Sequence, residues 1–299
     1  MDKYIHAFWQ ISENNYFCLS KIDSFFCGKF DYAWESAGHG ELVAAGLQAS
    51  YANEVLDRRK RLDVAATMRS LWDNDIVAIG RKNAEMPAEL MEIEHPPFLL
   101  YRRGADLRSL TPRVAIVGTR KSSVWGEKTS FRLAAMLTEA GVTVVSGLAF
   151  GIDASAHAGA LNGSGKTIAI LASGIGQVTP SSHNSLSQKI LGAGGALLSE
   201  YPLTSPAFKF RFLERNRLIS ALSGAVVVVE AARKSGALIT AGHAAIQQRQ
   251  LLVFPGAPGN PLSAGCNAMI KKGARLVDSI GEILEILRQS GLLPADRIY

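Results

Sequence analysis

The sequence predicts an α/β protein: a parallel sheet wrapped by helices on both faces, preceded by a small all-helical domain. Three observations carry that expectation. After Arg113, apolar runs of strand length alternate with helical stretches, the pattern of parallel strands joined by crossover helices. From Ile5 to about Met91 the apolar residues recur instead at three- and four-residue spacing, as in GELVAAGLQASYANEVLDRRKRLDVAATMRSLWDND. Charge divides near the same place, with 10 Lys/Arg against 15 Asp/Glu in residues 1–100 and 22 against 11 in residues 101–299.

Taken in chain order, the helical stretch forms the first unit. The segment EHPPFLLYRRGADL, from Glu94, places two prolines and a glycine around an apolar core and predicts an extended connection. The boundary is set there, giving domains 1–95 and 96–299. The strand candidates are VAIV (114–117), VTVV (142–145), TIAIL (167–171), ALL (196–198), AVVVV (225–229), LLVF (251–254) and RLV (275–277). Between the first two, GEKTSFRLAAMLTEAG (Gly126–Gly141) has a 3.6-period apolar stripe and a terminal glycine, as a helix requires.

Composition bounds the rest. A chain of 299 residues, 47% hydrophobic, can bury one large core and a smaller helical unit. No apolar run approaches the roughly 20 residues that span a bilayer, and MDKYIHAFWQISENNYF lacks the apolar stretch of a secretory signal. Cys18, Cys27 and Cys266 have no metal-ligand or C-x-x-C spacing and suit a reducing compartment. A soluble, cytoplasmic protein without membrane attachment is expected. The basic second part either attracts a polyanion or supplies ordinary surface charge.

In open α/β sheets ligands bind outside the carboxyl ends of the strands. The residues found there are GTRKSS after the first run, SGLAFGIDASAH (Ser146–His157) after the second, ASGIG after the third and SEYP after the fourth. Glu230 with KSGALITAGHA (Lys234–Ala244) follows the fifth, and PGAPGN the sixth. Glycines permit close backbone approach and helix-opening amides favour anions, so a phosphate-binding crevice is the plain reading.

Several specific chemistries are disfavoured. A dinucleotide fold needs G-x-G-x-x-G after the first strand and an acid closing the second, and neither is present. ALNGSGKT (Ala160–Thr167) approaches a P-loop, yet it follows a helical stretch and opens a strand, so its glycines are expected to cap that helix. Ser146, Asp153 and His157 could be imagined as a hydrolytic triad, but no G-x-S-x-G elbow exists, and a cap and a side-chain pair explain them as well. The histidines lack ligand spacing, and no metal or other cofactor is expected.

FKFRFLERNRLISALS (Phe208–Ser223) interleaves Lys209, Arg211, Arg215 and Arg217 with Phe208, Phe210 and Phe212. Cations for phosphates and rings for bases suit single-stranded nucleic acid. The alternative is an amphipathic helix start whose rings fill the core.

With VGTR, SGLAFGIDASAH, LLSEYP, F-L-E-RNRLISALS, VVVVEA, SGALITA, FPG and G-C-N-x-x-I in this order, the chain from about Pro96 to Val277 resembles the DNA-processing protein A (DprA/Smf) family. The resemblance implies an extended Rossmann domain that binds single-stranded DNA, dimerises and helps load the RecA recombinase in natural transformation, without enzymatic turnover. It implies a phosphate pocket with Arg120 as main cation and Gly118 and Thr119 shaping the turn. Ser146, Gly147 and the SGALITA helix start, with Ser235, Gly236 and Thr240, would complete it. Lys209 matches the family's phosphate-contacting lysine and Phe212 its base-stacking phenylalanine, with Arg215 beside them. Asn216 and Arg217 either join the site or fix the segment to the sheet. A homodimer is implied, with Met269 and Ile270 expected in its interface.

Departures from the family pattern bear on the site. Phe150 stands where the family usually has arginine, so a cation is lost and an aromatic gained at the expected crevice, which either lowers DNA affinity or adds a stacking platform. KIDSFFCGKF replaces the glycine-rich hairpin of the family's helical domain, and no DNA contact is assigned there. With the sequence closing on EILEILRQSGLLPADRIY, the winged-helix module of some members is not expected. The rival class is a nucleotide-binding enzyme or sensor on the same scaffold, such as the cytokinin-activating phosphoribohydrolases. Their P-G-G-x-G-T-x-x-E loop corresponds to EAARKSGALITAGH, which lacks the paired glycines and the catalytic Glu.

Overall fold

The structure, a computed structural model, describes residues 2–163 and 165–293. Ser164 of ALNGSGKT and the last residues of EILEILRQSGLLPADRIY, 294–299, lie outside them. Six helices open the chain: α1 (Asp2–Ile11), α2 (Tyr16–Phe25), α3 (Phe30–Glu35), α4 (His39–Ala44), α5 (Ala49–Arg61) and α6 (Val64–Trp72). Local chemistry starts two of them, because the side chains of Asn15 and Asp63 accept from the Cys18 and Ala66 amides at 3.1 and 2.9 Å.

Two strands follow that the sequence reading did not separate: β1 (Ile76–Gly80) and, after the short α7 (Ala88–Met91), β2 (Leu99–Gly104). β1 lies within the stretch read as helical, and β2 within the stretch read as a connection. The rest alternates: β3 (Arg113–Val117), α8 (Val124–Glu139), β4 (Thr143–Ser146), α9 (Ile152–Asn162), β5 (Thr167–Ile170), α10 (Asn184–Gly192), β6 (Ala196–Ser199) and α11 (Lys209–Ala221). It continues as β7 (Ala225–Val228), α12 (Ala237–Ile246), β8 (Gln250–Val253), α13 (Ala264–Lys271), β9 (Arg275–Leu276) and α14 (Ile280–Gln289). As expected for ALNGSGKT, Gly163 caps the C-terminus of α9 and β5 starts at Thr167.

All nine strands form one sheet in the order β1-β2-β6-β5-β4-β3-β7-β8-β9. The seven strands foreseen from their apolar runs are mutually parallel. β2 adds antiparallel to β6, with Tyr101 opposite Ser199, and β1 antiparallel to β2.

Side chains alternate across the strands with a period of two. Val114 and Ile116 face Leu133, Leu137, Ile152 and Ile283 of α8, α9 and α14. Ala115 and Val117 face the opposite layer, with Leu218 and Ile219 of α11 and Ala241 and Ala244 of α12. A third apolar cluster joins Phe8, Leu19, Phe30 and Trp34 of the N-terminal helices to Leu99, Tyr101, Leu171 and Leu197 at the β2–β6 end. Among the described residues no helix is long and apolar enough to cross a membrane.

Candidate functional site

Sheet order reverses around β3, whose neighbours are β4 on one side and β7 on the other, so a crevice opens beyond the carboxyl ends of β3 and β7. The GTR turn leaves β3 there. Its Thr119 amide donates to the Glu230 carbonyl at 2.8 Å, and the Thr119 carbonyl accepts from the Ile152 amide at 3.3 Å. Gly118 makes this approach possible, since a Cβ would press into the Ile152 side chain and come within 2.9 Å of the Glu230 carbonyl. Ser123 then starts α8 by accepting from the Gly126 amide at 3.0 Å. Its own amide and hydroxyl donate to the buried Glu230 carboxylate at 2.9 and 2.5 Å.

The turn forms one wall of a cavity of about 500 Å³. Gly118, Thr119, Arg120 and Lys121 line it from β3; Lys209, Phe212, Arg215 and Asn216 from α11; Lys234, Ser235, Gly236 and Thr240 from the start of α12. Five side-chain cations therefore surround it against one carboxylate, Asp153. The first turns of α11 and α12 both open onto it, adding the positive ends of their helix dipoles.

Arg215 is buried in the wall. Its guanidinium donates to the Gly147 carbonyl at 2.8 Å, to the Asn216 side chain at 3.3 Å and to the Ile170 carbonyl. Burial lowers its pKa to about 10, which leaves it cationic at neutral pH. Burial likewise pushes the Asp153 carboxyl up, against the opposing pull of the Arg215 charge and of the Ala149 and Gly147 amides, which it accepts at 3.4 and 3.2 Å. Gly147 is a packing glycine, because a Cβ there would sit 2.6 Å from the Arg215 guanidinium. Arg120, exposed at the rim, lays its Cζ 4.4 Å from the centre of the Phe212 ring, and Arg215 approaches the same ring at 5.9 Å. The ring is thus held in a cationic frame.

Nine of the twelve residues singled out from sequence as a DNA-contacting set line this cavity: Gly118, Thr119, Arg120, Lys209, Phe212, Arg215, Ser235, Gly236 and Thr240. Ser146 and Gly147 lie beneath it. The Ser146 hydroxyl donates to the Ile116 carbonyl at 2.7 Å and ties β4 to β3. Phe150 lies outside the lining, half-exposed, its ring edge-on to His183 with centroids 4.9 Å apart. Of the two undecided residues, Asn216 both lines the cavity and donates to the Gly236 carbonyl at 3.2 Å. Arg217 turns away, spending its guanidinium on Glu200 at 2.6 and 2.8 Å and on the His95 carbonyl at 3.0 Å. Lys121 and Lys234 were not singled out. Lys121 directly follows VGTR and Lys234 directly precedes SGALITA, so position beside a strand end was the available signal.

The imagined triad has no catalytic geometry. Ser146 is committed to Ile116, Asp153 to two backbone amides, and the His157 Nδ1 meets the Thr167 hydroxyl at 2.7 Å in full burial. Among the described residues no group of three or more His, Cys, Asp or Glu is placed to hold a metal ion. Met269 lines a groove with Leu238, Ala245, Leu251 and Ala274 next to edge strand β9, and Ile270 packs half-buried beside it.

Fold and site together define a Rossmann-type α/β protein with a cationic, aromatic-bearing crevice at the reversal of its sheet. The chain belongs to the DNA recombination-mediator protein A family, the DprA/Smf proteins, whose family model matches residues 77–288. It is 43% identical over 203 residues to Protein Smf of Escherichia coli, covering 68% of this chain and 54% of that protein. Against Protein Smf of Synechocystis it is 38% identical over 280 residues, covering 88% of this chain and 70% of that protein. The chain spans about half the length of the first of these relatives. The crystal structure of DNA processing protein A from Streptococcus pneumoniae superposes with a TM-score of 0.80 at 30% identity, covering 95% of this chain and 97% of that one. DNA processing protein A from Helicobacter pylori, which binds single-stranded DNA, matches with a TM-score of 0.64 at 30% identity over 72% of this chain and 96% of that one.

Proposed function

We propose that the crevice binds single-stranded DNA, and that the protein delivers the strand to a RecA recombinase during natural transformation, without chemical turnover. The observation that carries the reading is the cavity wall itself: Arg120, Lys121, Lys209, Arg215 and Lys234 around the half-buried ring of Phe212. Cations meet phosphates and the ring offers a face to a base. The family's description as recombination mediators supports the second half. A phosphoribohydrolase would need a carboxylate open to its nucleotide, and the cavity offers only Asp153, buried on two amides. Release of base from nucleoside monophosphates would reinstate that reading.

The test is a titration of single-stranded against double-stranded DNA of equal length over a range of salt. Arg120→Ala is expected to weaken single-strand binding and make the slope of log K against log salt shallower by about 0.7, for one lost phosphate contact. Phe212→Ala is expected to cost about 1–3 kcal/mol of binding with the slope nearly unchanged. Because Arg120 rests on the Phe212 ring, the double variant should lose less than the sum. Wild-type affinity and slope in a folded Arg120→Ala protein would remove that residue from the site.

The same reading includes a homodimer through the groove at Met269 and Ile270, a two-fold contact using one patch on both subunits. A groove beside an edge strand, lined by Leu238, Ala245, Leu251 and Met269 together with Arg249, Lys272 and Arg275, supports it. Ile270→Glu is expected to give a monomer by light scattering at micromolar concentration where the unaltered chain is dimeric. A monomeric unaltered chain would discard the dimer.

A further inference from the structure

Two phenylalanines at the start of α11 stand in solvent beside the cavity. Phe208 is 48% exposed and Phe210 53%, although aromatic rings ordinarily contribute to the core. Their planes are within 11° of parallel and their centroids 5.7 Å apart. Lys209, between them in sequence, lines the cavity.

The pair is braced by Arg211. That buried guanidinium donates to the Pro206 carbonyl at 2.7 Å and to the Asn14 side chain at 3.0 Å, which fixes it between the α1–α2 turn and α11. Its Cζ lies 5.0 Å from the Phe208 ring, 5.9 Å from Phe210 and 4.2 Å from Tyr201. The rings are therefore held in place by a cation while much of their area stays open.

We propose that Phe208 and Phe210 form a second base platform: an unpaired nucleobase of the strand held at Arg120 and Phe212 stacks on them where the strand leaves the cavity. The proposal rests on the single-stranded DNA reading of that cavity. Three features favour a base over an apolar peptide. The rings offer flat, parallel π faces, which every base can use. Lys209 supplies positive charge beside them, matching a phosphate backbone. The platform is continuous with the cationic cavity through Lys209.

The experiment titrates the full chain with oligothymidylates of increasing length, comparing the unaltered protein with Phe208→Ala/Phe210→Ala, Phe208→Leu/Phe210→Leu and Arg120→Ala. The shortest oligomer that binds is expected to be held equally well by the unaltered protein and by both platform variants. Once the strand is long enough to reach the pair, both variants should bind roughly fivefold to a hundredfold more weakly per lost base, with an unchanged salt slope. Arg120→Ala should weaken every length. A 2-aminopurine placed in the distal part of the longer strand should be quenched on the unaltered protein and recover on the platform variants.

Variants indistinguishable from the unaltered chain at every length would overturn the platform, as would an equal loss at every length. Loss of self-association in place of DNA affinity would assign the patch to a second copy of the chain and overturn it too. In each of these cases a loss with Arg120→Ala leaves the cavity reading standing, and no loss removes both. Should the alanine pair melt early, the leucine pair keeps the apolar bulk and carries the test.

Discussion

Stability is expected to fall steeply as the pH is lowered below 6.5, because two fully buried imidazoles refuse protons that the unfolded chain accepts. Burial lowers His6 from 6.5 to about 4 and His157 to about 3. His6 Nδ1 meets the Tyr101 hydroxyl at 2.6 Å and His157 Nδ1 the Thr167 hydroxyl, while both Nε2 atoms are buried without a hydrogen-bond partner. Folded values below the unfolded one mean that stability is complete above pH 6.5 and is lost as pH falls toward the folded values. Each imidazole contributes about 1.4 kcal/mol per pH unit in that window. Together they amount to roughly 3 kcal/mol per unit between about pH 6 and 4, against a total of about 5–15 kcal/mol. Asp153 works in the opposite sense, since its raised carboxyl takes up a proton earlier in the folded chain than in the unfolded one. Urea unfolding at a series of pH values checks the slope, and His157→Gln should remove about half of it. A flat profile from pH 6.5 to 4 would show that neither imidazole is held neutral.

Arg217→Ala is expected to cost about 3–5 kcal/mol, because it strands the Glu200 carboxylate in the interior. The two side chains are 12% and 7% exposed and joined by two parallel hydrogen bonds. The same guanidinium holds the His95 carbonyl, and the Glu200 carbonyl accepts from the Trp9 indole at 2.6 Å. The pair therefore sits where the N-terminal helices, the β1–β2 segment and α11 meet. Replacing both partners, as Arg217→Met/Glu200→Leu, should recover most of the loss, since no unpaired charge remains. Thermal melts of the single and double variants decide it. Equal losses in both would mean that packing rather than charge holds this corner.

The parallel strands were legible because short runs of Val, Ile, Leu and Ala form their centres, as strands buried on both faces require, with only the edge strand β9 exposed. The placement rule for ligands in open sheets then led from the strand ends to Arg120, Ser235 and Gly236. β1 and β2 escaped for physical reasons. IVAIG directly follows helical spacing that runs to Trp72, and FLLYRRG sits behind two prolines that suggest a connection; both become strands because β6 has an open edge to offer. The Arg120–Phe212 stack joins residues far apart in sequence, which no local pattern encodes. Ser146 closes β4 and Gly147 follows it, as the cavity residues follow their strands, but the Ser146 bond to the Ile116 carbonyl and the Arg215 side chain against Gly147 put both below the surface.

The pairing of β2 with β6 has a consequence for how the chain is made. Tyr101 lies opposite Ser199, so nearly a hundred residues must be synthesised after β2 before its partner exists. At about 5–20 residues per second that is a wait of roughly 5–20 s. Throughout it, the β1–β2 hairpin leaves the ribosome with one strand edge unfilled, open to pairing with any other chain that presents one. β3 gains its second neighbour only when β7 arrives, later still. Until β6 is made, residues 99–104 thus carry the kind of edge that pairs with other chains, whereas β3, β4 and β5 each meet the very next strand of the chain.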